Sequence, residues 1–133
     1  MASIKKFTEL IAWQKSHRLV LDVYKATEVF PRSEVFGLQS QIRRAVVSVT
    51  SNIAEGFERG SNKELIQFLI MARASLSETQ NQLLIAKDLG YLNKKDCDEL
   101  ADKTVEVHKI INGLIKSLRT SKLTTSKLNN GVI

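Results

Sequence analysis

The chain has one cysteine, Cys97, one proline, Pro31, and one tryptophan, Trp13, in 133 residues. A lone cysteine closes no internal disulfide, which agrees with a reducing compartment. No apolar run approaches the roughly 18 residues that a membrane-spanning helix needs, and the opening Met1 to Lys6 has no apolar stretch behind its charges. A cytoplasmic location is therefore expected, with no membrane partner. The motifs of catalysis are also missing. There is no glycine-rich phosphate loop, no H-E-x-x-H, no paired cysteines for zinc and no G-x-S-x-G elbow, so neither enzyme activity, metal nor cofactor is expected.

Acidic residues are missing from one region only: none follows Glu106. Of the 20 Lys and Arg, five lie beyond it (Lys109, Lys116, Arg119, Lys122 and Lys127), leaving 15 basic against 14 acidic groups before it. Nearly all of the net charge of +6 is thus C-terminal. Such a basic end reads either as a solubilising tail or as a contact for nucleic-acid phosphate.

What is present is helical periodicity. The length suits one domain, which at this size buries roughly two thirds of its unfolded surface. The few strong breakers divide the chain into four long segments, the arithmetic of an antiparallel up-down four-helix bundle over residues 1–119, followed by a basic, flexible segment over residues 120–133. The first segment, Thr8 to Phe30, places Leu10, Trp13, His17, Val20, Tyr24 and Thr27 at three- and four-residue steps, widened by Leu21, until Pro31 stops it. The second, Ser33 to Glu58, takes Ser33 as N-cap and buries Val35, Leu38, Ile42, Ala45, Val46, Val49 and Ile53. Gly56 and Gly60 bracket the next break. The capping box Ser61-x-x-Glu64 starts a third helix that Gly90 ends, with Leu65, Leu69, Ala72, Leu76, Thr79 and Leu83 inward. Asn93 caps the fourth, whose stripe Cys97, Leu100, Thr104, Val107, Ile111, Leu114 and Leu118 is unbroken.

Beside the stripe of the second segment runs a polar seam: Gln41, Arg44, Ser48, Asn52, Glu55 and Arg59. At about 100° per residue the six positions fall in an arc of roughly 80°. Ser48 and Asn52 are short and poor helix formers, unlike the long Lys and Glu of an ordinary solvated face. The seam reads as a close contact between helices or subunits, with a plain wet surface as the alternative. Phe36, Val47 and Ala54 make a further apolar strip, and a helix apolar on two sides needs more than one neighbour. Oligomerisation is expected on that ground.

Several residues admit two readings. His17 on the apolar stripe reads as a core or interface histidine, since no second metal ligand accompanies it. Trp13 reads as a packing anchor, with base stacking as the alternative. Cys97 reads as a small core residue. Arg43, Arg44, Arg59 and Lys63 would form a basic rim near the turn after the second segment; Arg44 is also a candidate ion-pair partner of Glu55.

Trp13-Gln14-Lys15, Val23-Tyr24, Phe30-Pro31, Gly37-Leu38, Gln41-Ile42-Arg43-Arg44-Ala45, Asn52-Ile53-Ala54-Glu55-Gly56 and Leu89-Gly90-Tyr91-Leu92 together form a recognisable pattern. From Phe7 to Leu118 the chain resembles the four-helix-bundle family named for the intervening sequences of bacterial 23S ribosomal RNA genes. The resemblance implies a homopentamer, and kinship with the accessory protein of diversity-generating retroelements, which binds nucleic acid and a reverse transcriptase through basic surfaces. Ala74 stands where the family commonly has glycine. Sequence and resemblance together point to a non-catalytic oligomer that contacts RNA or DNA through Arg43, Arg59, Lys63, Lys116, Arg119, Lys122 and Lys127. The alternative is a protein-interaction scaffold for a partner encoded nearby.

Overall fold

Four α-helices, Ile11–Ala26 (α1), Leu38–Glu58 (α2), Asn62–Asp88 (α3) and Lys94–Arg119 (α4), build residues 4–120, the part of the chain that the computed structural model describes. Short 3-10 turns at Phe7–Glu9, Thr27–Val29 and Arg32–Glu34 complete it, and the described residues include no strand. Helix α2 packs on α1 and α3, and α4 packs on α3 and α1, so the four close into a helical bundle. Leu19, Val23, Ile42, Val46, Leu69, Leu76, Leu83 and Ile111 fill its centre. The C-terminal segment, with Lys122 and Lys127, lies outside the described residues.

Local chemistry sets the helix ends. Ser61 Oγ accepts from the Glu64 N–H (3.2 Å) and Asn93 Oδ1 from the Asp96 N–H (2.8 Å), each satisfying an orphan donor of a first turn. Helix α3 ends in a Schellman motif: Tyr91 N–H reaches Ala86 O (2.8 Å) and Gly90 N–H reaches Lys87 O (2.9 Å). That geometry needs a left-handed residue, and Gly90 has φ +82°.

Gly56 behaves differently from a breaker. It lies inside α2, which continues to Glu58. A Cβ there would stand 2.6 Å from Phe68 Cβ and 3.1 Å from Leu65 Cδ1, so glycine is what lets α3 approach this closely.

The stripe expected for the first segment holds at its ends, where Leu10 and Thr27 are buried, but not between them. Within α1 the buried residues are Ala12, Ser16, Leu19 and Val23. His17, Leu21 and Tyr24 are exposed, and Trp13 and Val20 are half-buried on the flank. The inward stripe uses two small residues, Ala12 and Ser16, and the Ser16 hydroxyl is satisfied by Ala12 O at 2.7 Å.

Helix α2 starts later than Ser33. Glu34 supplies the capping oxygen instead: Oε1 accepts from the Leu38 N–H (3.0 Å), while Oε2 accepts from Tyr91 Oη (2.8 Å). These bonds, Leu38 first and Tyr91 second, hold the Glu34 carboxyl below the usual glutamate range. A lowered folded pKa gives stability that is present above the ordinary value of about 4.3 and lost as pH falls through the folded one. The thermal midpoint of Glu34→Ala should therefore lie below wild type at neutral pH and converge on it in acid. A gap that stays constant with pH would contradict this.

The stripe of α4 is buried throughout, from Cys97 to Leu118. Burial pushes the Cys97 thiol up, which fits an inert core residue. Leu114 borders a groove of about 360 Å³ beside Ile11, Ile110 and Gly113, where neighbours have room to relax. Leu114→Ala should cost about 2 kcal/mol, the low end for a buried leucine. Denaturant midpoints at an unchanged m-value check it.

Candidate nucleic-acid interface

The positions of the basic residues follow from how the helices lie against each other. Between α3 and α4, Gln80 bonds Thr104 (2.8 Å) and Arg73 bonds Asn112 (2.9 Å). Partner numbers rise on one helix as they fall on the other, so the end of α4 lies by the start of α3. Between α1 and α4, Ile11 and Ser117 share a groove, which brings the start of α1 to the same end. Arg59, Lys63, Lys116 and Arg119, scattered in sequence, therefore gather at one end of the bundle. All four are exposed. Lys5 and Lys6, also exposed, precede the first turn there.

The charge at this end is not unopposed. Arg59 Nη2 pairs with Glu55 Oε1 at 3.1 Å, both about half exposed, and Glu58 and Glu64 lie nearby. Such a pair contributes little and leaves the guanidinium free to exchange partners. The same guanidinium lies 5.1 Å from the Phe68 ring centroid. The other end is mixed: Asp88, Asp96, Asp98 and Glu99 alternate with Lys87, Lys94 and Lys95.

Arg43 is not part of this cluster. Sixteen residues of helix separate it from Arg59, about 24 Å. Its Nε donates to Thr27 Oγ1 (2.9 Å) and its Nη2 to Tyr24 O (3.1 Å), with Gln39 Nε2 on Thr27 O (2.9 Å). These side chains add bonds to carbonyls at the end of α1, where Thr27 O also accepts from the Phe30 N–H (3.1 Å) and Tyr24 O from Thr27 Oγ1 (3.2 Å). Sequence reading gave no sign of this clip, because its partners lie across the loop between the two helices.

The seam divides. Ser48 and Asn52 are half-buried in the α2–α3 groove, where Ser48 Oγ lies 2.9 Å from Ser75 Oγ and Asn52 Nδ2 reaches Ser48 O (2.8 Å) and Oγ (3.0 Å). Gln41, Arg44 and Glu55 are exposed along its outer edge. Glu55 pairs with Arg59, and among the described residues Arg44 has no ion pair. Deeper in, Gln82 of α3 is buried and its Oε1 has no partner in the described residues.

Among the described residues several apolar side chains stay outside the core. On α3, Met71, Leu84 and Ile85 are exposed. Along α1 and α2, Phe36 is 97% exposed at the edge of a groove of about 750 Å³ that also takes in Tyr24, Val35, Arg43, Arg44 and Val47. No described helix is long and apolar enough to cross a membrane, and the described residues hold no group of three His, Cys, Asp or Glu able to bind a metal.

Fold and surface together define an all-α helical bundle with a basic-enriched end and uncovered apolar faces. The chain belongs to the 23S rRNA-intervening sequence protein family, whose model matches residues 8–113. A solved structure from Bacteroides thetaiotaomicron VPI-5482, described as a protein with unknown function from the S23 ribosomal protein family, superposes with a TM-score of 0.72. It shares 22% sequence identity over 80% of this chain and 100% of its own, a likeness of fold. No curated protein matches the chain.

Proposed function

We propose that the protein is a non-catalytic, cytoplasmic homo-oligomer, a homopentamer of antiparallel up-down bundles, that binds RNA or DNA through its basic end. The observation that carries the binding is the gathering of Arg59, Lys63, Lys116 and Arg119 at one end, next to the point where Lys122 and Lys127 continue the chain. Opposed numbering of Ser48–Ser75 against Gly56–Phe68, and of Arg73–Asn112 against Gln80–Thr104, supports antiparallel neighbours. Uncovered Met71 and Ile85, which share one face of α3, support assembly. A ring would repeat a weak basic site around one axis and multiply it by avidity.

A fluorescein-labelled RNA, followed by anisotropy while salt is raised, tests the reading. With about six phosphate contacts, affinity should fall by two to three orders of magnitude between about 50 and 200 mM salt. Paired substitution Lys63→Ala with Arg119→Ala should flatten that slope. Failure to retain RNA or DNA at low salt would end the proposal. The apolar surface of α3 also favours a second reading, a scaffold for a linked protein such as a reverse transcriptase; recovery of one defined protein after nuclease treatment, without nucleic-acid affinity, would favour it.

A further inference from the structure

The α1–α2 face carries rings where an ordinary surface would carry flexible chains. At the basic end His17 stacks on Trp13, with centroids 4.6 Å apart and planes 15° apart, and Phe7 meets Trp13 edge-on at 5.6 Å. Two helical turns further along α1, about 10 Å, Tyr24 lies under the Arg43 guanidinium, 4.5 Å from ring centroid to carbon. Phe36 closes the row, almost wholly exposed at the far edge of the groove. None of the residues lining that groove is Asp or Glu, and its charges are Arg43 and the ion-pair-free Arg44.

We infer that this face is a track for single-stranded nucleic acid, in which unpaired bases stack on Phe36 and on the outer face of His17 over Trp13, and Arg44 holds phosphate. The inference deepens the binding proposed above and rests on it: the basic end supplies the polyanion's anchorage, and the ring face decides which form of nucleic acid is taken. Planar rings at the rim of a shallow, carboxylate-free groove match flat bases joined by phosphate. Duplex bases are already stacked and hide their faces, so they gain nothing here.

The chain's single tryptophan makes the test direct. Full-length protein is titrated with a labelled 20-nucleotide oligo(dT) and with a labelled duplex of equal length, by anisotropy at low salt, while Trp13 emission is recorded with unlabelled strands. The single strand should bind more tightly and quench Trp13, and the duplex should not quench. Phe36→Ala and His17→Ala, both exposed and thus compatible with folding, should each weaken the single strand about tenfold and leave the duplex unchanged. Equal binding of both forms, without quenching and without effect of either variant, would overturn the track and leave the basic end standing. No binding of either form would remove both. Should Phe36→Ala instead dissociate the oligomer while Trp13 stays unquenched by oligo(dT), the face is a contact between copies and the inference fails.

Discussion

Gly56→Leu is expected to lower the unfolding free energy by about 3 kcal/mol, through overpacking. Gly56→Ala should cost less, about 1 kcal/mol, because the clash is partly offset by alanine's higher helix propensity. The nearest obstacle is Phe68 Cβ, an atom fixed to the backbone of α3, so relief requires the two helices to move apart. Gly113 provides the control. It is also helical, but a Cβ there meets nothing within 4 Å. Gly113→Ala should therefore stabilise by about 1 kcal/mol. The same substitution at two helical glycines is thus expected to change stability in opposite directions. Urea midpoints at one fixed protein concentration measure both, since assembly makes apparent stability concentration-dependent. Equal signs would contradict the close α2–α3 approach.

Leu76→Ala should cost about 3–5 kcal/mol, more than Leu114→Ala. Leu76 has no exposed surface, and it sits on α3, the helix packed against both α2 and α4. A hole there lies between three helices that are fixed by their other contacts, so collapse is limited. This contrasts with Leu114, which borders an open groove. A Leu76→Ala cost no greater than that of Leu114→Ala would mean that the centre of the bundle relaxes as readily as its edge.

How much was legible from sequence depended on whether the signal was local. The Ser61 and Asn93 caps and the Gly90 terminus involve residues a few positions apart, and each is formed as the sequence suggests. In α3 and α4 the buried residues follow the main apolar stripes. In α1 two stripes shared the same spacing. The larger side chains of Trp13, Val20 and Tyr24 outweighed Ala12 and Ser16 on the page, yet small residues are what let α1 come close to its neighbours. Glu34 displaced Ser33 as the cap of α2 because Tyr91, distant in sequence, fixes its carboxylate. Gly56 read as a break because its real role, clearance for Phe68, is a tertiary fact. At the candidate site the basic residue types were visible, but their gathering was not. It required the relative placement of α3 and α4, which also set Arg43 apart in its own clip.

The most direct test of the central claim is sedimentation velocity of the full-length protein at micromolar concentration, with and without a fluorescein-labelled RNA at low salt. One defined ring-sized species should carry the RNA with it and release it as salt is raised. A stable monomer, with RNA sedimenting alone, would contradict it.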